Sequence, residues 1–541
     1  MTDASSTPPV RSSAFAPLRQ RVFLILWLAM IVGNAGSFIR DTASGWLATD
    51  LSPSPAAIAA VQAAATLPVF LLAIPAGVLS DILDRRRLLI VIQVLLGLVS
   101  LTLMLLSAAG ALTLTGLVAL TFFGGMGAAL IAPTWQAIVP ELVPRSDLRS
   151  AVALNSLGLN VARAIGPAAG GLLITFAGAT ATYAVDVATY GIVIAALVWW
   201  PRKGKASDPL AESFGGAFRA GLRYARRSKD LHVVLLSAAV FFLCASAVWA
   251  LLPLITRDLL QGSSGLYGLL LGAVGLGAIG GALALPTLRL RFNSDNLMLL
   301  AALVAASVMI ALAAAPQPAI ALVLLAVLGA AWITALTTLN GTAQSVLPDW
   351  VRGRALAVYL TVFNGAMTAG SLAWGGVAEA TGLGTALLLA AAGLVLTGTL
   401  FHRLRLPRGE ADLTPSNHWP EPLVASPLAE DLTGDAAADR GPVLITIAYK
   451  VTAADRAAFL ATIHRLSTSR RRDGAYAWGV MEDVADPETL LEWFFVASWA
   501  EHLRQHRRVA SPDADLQREL LRFHAGDSPP EVNHHLALPP T

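Results

Sequence analysis

Long runs of apolar residues, separated by short polar segments, dominate the chain from residue 22 to residue 402. A helical membrane crossing needs about 20 such residues, and this pattern predicts about twelve transmembrane helices. Because that number is even, both ends of the membrane region lie on the same side. The predicted limits are 22–49, 56–80, 87–109, 112–138, 149–177, 180–200, 231–256, 264–288, 296–315, 319–345, 355–379 and 383–402.

The longest connection, 201–230, divides these spans six and six, which predicts two bundles at 21–200 and 231–404. Within the connection, Phe214, Phe218 and Leu222 recur near helical spacing between several arginines. This indicates an amphipathic basic helix. Two interpretations are open: a helix lying on an anionic lipid leaflet, or a solvated linker helix.

Basic residues fill every second connection, and the alternate connections contain Arg257 alone. Positive charge collects on the cytoplasmic side of membrane proteins, so both termini are expected in the cytoplasm. Residues 1–20 are polar and rich in Ser and Pro, without the apolar core of a signal peptide. We expect them to form a disordered cytoplasmic tail.

Composition supports a membrane protein, since 55% of the 541 residues are hydrophobic and 13% are charged, against roughly 25% charged in soluble domains. The single cysteine, Cys244, excludes an intramolecular disulfide and a cysteine-based metal site. Neither a metal, a cofactor nor a nucleic-acid partner is expected. Residues 403–541, in contrast, have the composition of soluble protein.

A polar island at 77–89, GVLSDILDRRRLL, lies between the second and third spans. It resembles the signature loop of the major facilitator superfamily, G-x-L-x-D-x-x-G-R-R, and departs from that pattern at Ile82 and Asp84. The resemblance extends over residues 20–404. The matching positions are Gly77, Leu79, Asp81, Arg85 and Arg86.

This resemblance implies a twelve-helix fold in two six-helix bundles that rock about a midplane site. It also implies proton-coupled transport in a bacterial cytoplasmic membrane. Gly77, Asp81, Arg85 and Arg86 are then expected to form a conformational latch, with Asp81 pairing across to the facing helix ends.

Four charged residues fall within apolar spans: Arg40, Asp41, Arg163 and Asp186. Each costs about 2.5–3.5 kcal/mol to insert, which makes it a functional candidate. We expect the basic groups to pair with the acids across a cavity, whereas the adjacent Arg40 and Asp41 are not expected to face one another. The alternatives are a structural ion pair or a snorkelling side chain.

Coupling to protons requires an acid that titrates as the protein cycles. Asp186 is the first candidate for this group and Asp41 the second, because both lie in apolar spans where burial changes the affinity for a proton.

Residues 158–171 resemble the fifth-helix motif of superfamily exporters, whose core is G-P-x-x-G-G. The matching residues are Gly166, Pro167, Gly170 and Gly171. Small residues allow close helix approach, and Pro167 bends the helix. A generic packing seam is the alternative. Together with Arg85–Arg87 and Arg163, the motif resembles the subgroup that includes the enterobactin exporter.

Uncharged polar residues within the spans can either line a pathway or hold helices together. The cavity candidates are Asn34, Gln62, Gln136, Asn160, Asn340, Gln344 and Asn364. Aromatic residues, among them Trp249 and Trp332, would suit a large amphiphilic substrate, or belong to interfacial belts.

After a flexible linker at 405–440, residues 441–541 show strand and helix patterns in the order βαββαβ. This order predicts an α+β, ferredoxin-like domain. It resembles the antibiotic-biosynthesis-monooxygenase-like domains, which implies dimerisation through the sheet. His502 and His506, flanked by arginines, are interpreted as a solvated basic face rather than as a ligand pair.

The expected function is secondary active export of a siderophore-like or amphiphilic drug-like molecule, by proton antiport, and not enzymatic catalysis. The expected partners are a small-molecule substrate, the lipid bilayer and protons. The alternative is a membrane-anchored enzyme or sensor whose activity lies in residues 441–541.

Overall fold

The computed structural model describes residues 15–200, 214–348, 351–403, 405–407, 440–506 and 511–537. Most of the predicted tail at 1–20, most of the linker at 405–440 and the first part of the 201–230 connection lie outside these residues.

Eleven helices in the described ranges are long and apolar enough to cross a membrane. They are α1 (Arg21–Leu51), α2 (Pro55–Ile82), α3 (Arg85–Ala108), α4 (Leu114–Leu142), α5 (Leu148–Trp199), α7 (Lys229–Leu254), α8 (Ser264–Arg289), α9 (Ser294–Ala313), α10 (Pro318–Ser345), α11 (Arg352–Thr381) and α12 (Leu383–Arg403). The shorter α6 (Phe214–Arg227) lies between α5 and α7.

The predicted fifth and sixth spans are the two arms of α5, a run of 52 residues interrupted at Gly178. Gly178 has φ 77° and ψ 173°, a conformation that glycine adopts at low cost because it lacks a Cβ atom. The sequence pattern predicts this break, since the two spans end at 177 and begin at 180.

The two arms of α5 run in opposite directions along α1. In the first arm the residue numbers along α1 and α5 rise together. Trp27 Nε1 donates to Leu154 O (2.9 Å), and further along both helices Gly170 packs on Ile39. In the second arm the order is reversed, from Tyr183 bonding Ser44 to Val193 packing on Gly33. α5 therefore crosses the bundle twice, and the count of twelve predicted crossings is recovered.

Helix α3 begins at a side-chain cap. Asp84 accepts a hydrogen bond from the backbone N–H of Arg87 at 2.8 Å, which satisfies one of the unpaired N–H groups of the first turn. Asp84 is one of the two positions where the loop departs from the superfamily pattern. The aspartate that departs from the pattern therefore serves as the N-cap of α3.

Helices α2 and α11 contact each other through polar side chains. The hydroxyls of Thr66 and Thr368 lie 2.7 Å apart, and Ser54 donates to Glu379 Oε2 at 2.7 Å. A polar contact between helices in lipid is worth about 0.6–2 kcal/mol. These bonds therefore stabilise the α2–α11 contact, called the α2–α11 seam below, only modestly.

The C-terminal residues form a four-stranded antiparallel sheet with strand order β2-β3-β1-β4. One helix follows the first strand in the chain and two follow the third, whereas the second and third strands are directly consecutive. In chain order the elements are β1 (Val443–Lys450), α13 (Arg456–Asp473), β2 (Ala477–Glu482), β3 (Thr489–Val496), α14 (Trp499–His506), α15 (Ser511–Leu521) and β4 (Glu531–Leu536).

Alternation along β1 defines the core of this sheet. Val443, Ile445, Ile447 and Tyr449 are buried, and the residues between them are only partly buried. They pack with Phe459 of α13 and with other buried apolar side chains. The period of two is that of a strand with one face on a core, and it confirms the predicted α+β character of residues 441–541.

A buried ion pair lies within this core. Arg470 Nε donates to Glu492 Oε1 at 3.1 Å, and the two side chains are 4% and 0% exposed. Trp478 Nε1 also donates to Glu492 Oε1, at 2.9 Å. Because each charge is satisfied by the other, removal of either one would leave an uncompensated charge inside the domain.

Helix α6 packs on the C-terminal elements. Residues 205–234, 341–358 and 407–541 form one compact unit, in which Arg223 Nη2 bonds Glu501 Oε1 at 2.9 Å. The Arg472 guanidinium lies 5.7 Å from the centroid of the Tyr224 ring, and burial raises the pKa of Tyr224 to about 12. Tyr224 and Ala225 are buried, so the interpretation as a solvated linker helix is wrong at these residues, and the placement on a lipid leaflet stays a prediction. The side chains of Phe214 and Phe218 lie outside the described residues.

The ion pair predicts a large effect of a small substitution. Glu492→Gln keeps the shape of the side chain but leaves Arg470 buried without a counter-charge. We expect a loss of about 3 kcal/mol, equivalent to about a hundredfold faster amide hydrogen exchange in β1 and β3, measured by mass spectrometry on the full-length protein.

Glu482→Gln is the matched control, because Glu482 pairs with Arg456 at a site where both side chains are exposed. Exposed pairs contribute about 0–1 kcal/mol, so exchange in this variant should stay near wild type. Equal exchange in both variants would contradict the importance of the buried pair.

Candidate functional site

Arg40, Asp41 and Asp186 form a charge cluster between α1 and the second arm of α5. Arg40 Nη2 lies 2.9 Å from Asp41 Oδ1, and Arg40 Nη1 lies 3.5 Å from Asp186 Oδ2. The predicted pairing of a basic group with an acid across the helices is present for Arg40 and Asp186. The expectation that Arg40 and Asp41 do not face one another was wrong, because the long guanidinium side chain bends back to its neighbour.

The two acids of the cluster have different surroundings. The side chain of Asp186 is 0% exposed and that of Asp41 is 56% exposed, with Arg40 between them at 11%. One positive and two negative charges sum to −1, so a single proton makes the cluster neutral.

Hydroxyl groups complete the cluster, and sequence reasoning did not identify them. Ser100 Oγ donates to Asp186 Oδ2 at 2.6 Å, Arg40 Nη1 donates to the hydroxyl of Tyr190 at 2.8 Å, and Ser37 lies 3.3 Å from that hydroxyl. The spacing of Tyr183, Asp186 and Tyr190 places them on one helical face, and this spacing could have revealed them.

Gly36 allows α1 to approach this face. A Cβ atom at Gly36 would lie 2.1 Å from Thr189 Oγ1 and 2.8 Å from Asp186 Oδ1. Both distances are too short for non-bonded atoms. The residue therefore has to be glycine for the carboxylate of Asp186 to reach Arg40 in this geometry.

Arg163 is not part of the cluster. Its guanidinium lies 6.0 Å from the centroid of the Phe38 ring, within cation–π range, and it makes no ion pair with an acid among the described residues. The predicted pairing of Arg163 with an acid is therefore wrong for this conformation.

The predicted exporter motif in α5 packs on two different helices. Gly166 and Gly170 lie against Phe38 and Ile39 of α1, and a Cβ atom at either would come within 3.1 Å of them. On the other side, the backbones of Gly171 and Gly268 meet, since a Cβ atom at either would lie 2.7 Å from the Cα atom of the other. The motif thus joins the first six-helix half to α8 of the second.

The two arginines of the predicted latch bind the ends of neighbouring helices. Arg85 Nη1 lies 2.7 Å from Glu141 Oε1 at the end of α4. Arg86 donates to the carbonyls of Leu197 and Val198 at 2.8 and 2.5 Å, at the end of α5. Gly77 and Asp81 belong to the last turns of α2, but their side-chain surroundings lie outside the described residues.

The uncharged polar candidates are spread over six helices. Asn364 is buried in α11 and donates to Leu360 O at 2.9 Å, and Asn160 in α5 donates to Ser156 O at 2.9 Å. These two bond within their own helix. The others are Asn34 on α1, Gln62 on α2, Gln136 on α4, and Asn340 and Gln344 on α10.

Aromatic rings cluster in the second half, on α7, α10 and α11. The ring of Trp332 lies 5.2 Å from Trp249 and 5.0 Å from Phe242, with Phe363 4.5 Å from Phe242. All three contacts are edge-to-face, the arrangement that aromatic quadrupoles favour. Trp249, Trp332 and Phe363 are only partly buried, so the cluster presents an apolar surface.

Comparison with known proteins gives consistent matches. A family model described as "Transmembrane secretion effector", of the major facilitator type, matches residues 12–539. The chain is 27% identical over 424 residues to the multidrug efflux pump Tap of Mycobacterium tuberculosis, covering 75% of this chain and 98% of that protein. It is 23% identical over 253 residues to the staphyloferrin A transporter of Staphylococcus aureus, covering 46% and 63%.

The solved structure of the nucleoside transporter NupG superposes with a TM-score of 0.62 at 13% identity. The match covers 71% of this chain and 99% of that one. At this level of identity the likeness concerns the fold.

The close contact of α5 and α8 predicts that the effect of a glycine-to-alanine substitution on stability depends strongly on its position along α8. Gly268→Ala places a Cβ atom 2.5 Å from the Pro167 carbonyl oxygen, so the helices have to separate. We expect a loss of about 1–3 kcal/mol, measured as a lower unfolding temperature of the detergent-solubilised protein.

Gly280→Ala, in the same helix, tests whether the effect is local. A Cβ atom there would meet no atom within 4 Å, and alanine favours helix over glycine. Its unfolding temperature should equal or exceed that of wild type. Similar losses in both variants would show that the seam is not close-packed.

Proposed function

The chain belongs to the transmembrane secretion effector family of the major facilitator superfamily, and on this premise we propose that it exports a small molecule by proton antiport. Export across the bacterial cytoplasmic membrane would proceed by alternating access, with the two six-helix halves moving about a central site. The observation that carries the proposal is the cluster of Arg40, Asp41 and Asp186.

The cluster supplies a group that can exchange a proton without unfolding the bundle. When Asp186 takes up a proton, Arg40 keeps its two hydrogen bonds to Asp41 and its bond to Tyr190. The guanidinium is therefore neutralised in both protonation states. Ser100, which donates to Asp186 Oδ2, can serve either form, because a hydroxyl both donates and accepts.

Proton uptake changes the attraction between α1 and α5. With Asp186 ionised, the cluster pulls the second arm of α5 toward Arg40, and with Asp186 protonated that attraction falls. Such a change gives proton binding a different free energy in two conformations, which is the condition for coupling. We propose that the two conformations are the inward-open and outward-open states.

The contacts between the two halves are proposed to permit rocking. The α5–α8 seam includes glycine against glycine, Gly171 on Gly268, and the α2–α11 seam includes the hydroxyl pair Thr66–Thr368 and the ring of Phe70 packed on Gly365. Arg85 and Arg86, with Gly77 and Asp81, are proposed as the latch that closes the ends of the first-half helices in one state.

We propose that the substrate is amphiphilic and drug-like, or siderophore-like. The partly buried rings of Trp249, Trp332 and Phe363 offer an apolar surface in the second half, and the cluster around Arg40 offers charge in the first. Relatives are named for multidrug efflux and for staphyloferrin A, which supports both classes. Membership of the enterobactin-exporter subgroup stays a prediction.

Residues 441–541 are proposed to be a ferredoxin-like domain on the cytoplasmic side, where both termini are predicted. The order β2-β3-β1-β4 with antiparallel neighbours supports this fold. Dimerisation through its sheet is a further prediction.

Substitution of Asp186 tests the proposal. Asp186→Asn keeps a hydrogen-bonding partner for Ser100 but cannot change its charge, and Arg40 retains Asp41. We therefore expect intact expression and loss of gradient-driven export. Export would be measured in proteoliposomes with an imposed pH gradient, using a panel of cationic amphiphilic drugs and siderophores, with and without an uncoupler.

Counterflow of the same substrates without a pH gradient separates coupling from binding, and it should persist in Asp186→Asn. Asp258→Asn is the control, because Asp258 is an exposed acid paired with Arg257 in the connection after α7. Unchanged gradient-driven export in Asp186→Asn would remove this residue from the mechanism. Equal accumulation of all substrates with and without the protein would count against export.

A further inference from the structure

Three histidines of the C-terminal unit come together. Two of them are neighbours on one helix, and the third is distant in sequence. His502 and His506 lie one turn apart on α14, and His534 lies on β4. His502 is only 1% exposed. The interpretation of His502 and His506 as a solvated basic face was therefore wrong, because α14 turns this face toward the sheet.

The nitrogen atoms have the spacing of a ligand set. His502 Nε2 and His506 Nε2 are 3.2 Å apart, and one ring nitrogen from each of the three histidines lies within 4.8 Å of the others. Two imidazole nitrogens bound to a tetrahedral metal at 2.0–2.1 Å are about 3.3 Å apart. Histidines at i and i+4 of a helix are a known way of supplying such a pair.

Strand register explains why His534 completes the set. On β4, His534 pairs with Ile445, whose side chain is buried in the core, so His534 shares that face of the sheet. The next residue, His535, pairs with Leu444 and is exposed. The ring of Trp499 packs on His502 and His534, at 5.5 and 5.7 Å between centroids, and holds both rings in place.

We propose that His502, His506 and His534 bind a divalent first-row transition metal of the Zn²⁺ type, with a fourth coordination position open to water. Imidazole nitrogen is a preferred ligand of Zn²⁺, Cu²⁺ and Ni²⁺, and three histidines with an open position form a recurrent arrangement for zinc. This proposal departs from the expectation, drawn from sequence, that the chain binds no metal.

A further observation supports the site. Among the described residues, His534 Nε2 is buried without a hydrogen-bond partner, so this ring has a nitrogen atom available to bind a ligand.

The buried Arg470 does not oppose a cation by an unpaired charge, since it is paired with Glu492 at 3.1 Å. The pair is neutral as a whole. A bound metal would connect α14 directly to β4, and it would therefore stabilise the C-terminal unit independently of transport.

Metal binding to the full-length protein tests this proposal. The protein, freed of any affinity tag and stripped with a chelator, would be titrated with Zn²⁺ by calorimetry and its metal content measured after dialysis. We expect one equivalent per chain. His506→Gln and His534→Gln should each weaken Zn²⁺ binding by at least about tenfold, and Zn²⁺ should raise the unfolding temperature of wild type but not of these variants.

His535→Gln is the matched control, since it removes the neighbouring histidine on the opposite face of β4. Binding that is lost equally in His535→Gln, or retained in His506→Gln and His534→Gln, would overturn the site. Should the variants fail to fold, Co²⁺ added to wild type decides the question. Visible absorption typical of tetrahedral Co²⁺ that is displaced by Zn²⁺ would support the site, and its absence would overturn it.

Discussion

The guanidinium of Arg40, buried in the bundle, is neutralised by two carboxylates, and the packing of α1, α3 and α5 follows from this pairing. Neutralisation draws Asp186 on the second arm of α5 to α1, and Ser100 of α3 joins through Asp186. Gly36 is needed because any side chain there would displace the carboxylate. One charge thus specifies the relation of three helices, while the exposed Asp41 leaves the cluster open on one side.

The halves are connected differently on their two sides. Between α5 and α8 the contact is backbone against backbone, with Gly171 on Gly268. Between α2 and α11 it is made by hydroxyls and by Glu379. The backbone contact between α5 and α8 requires a short distance between the helices. The hydrogen bonds between α2 and α11 require donor and acceptor groups that point toward each other.

The spans were predictable because each lipid crossing needs a long apolar run, and the break at Gly178 because two such runs meet there. Arg40 and Asp186 were predictable because charge is costly in lipid. Ser100 was not, since hydroxyls are common in membrane helices, and Tyr190 was indicated only by its helical spacing from Asp186. The histidine cluster depends on the register of β4, which places His534 inside and His535 outside, and composition cannot decide between the two. Docking of α6 on Glu501 required the fold of a segment 278 residues away.

Helix α6 is also part of the covalent tether between the sixth and seventh crossings. Its 14 residues span about 21 Å as a helix but about 46–50 Å when extended. While Arg223 pairs with Glu501 and the Tyr224 hydroxyl donates to Val346 O, this segment stays helical. The connection is then about 25 Å shorter than it would be with the segment extended. Docking of α6 in the C-terminal unit therefore shortens the reach of this connection.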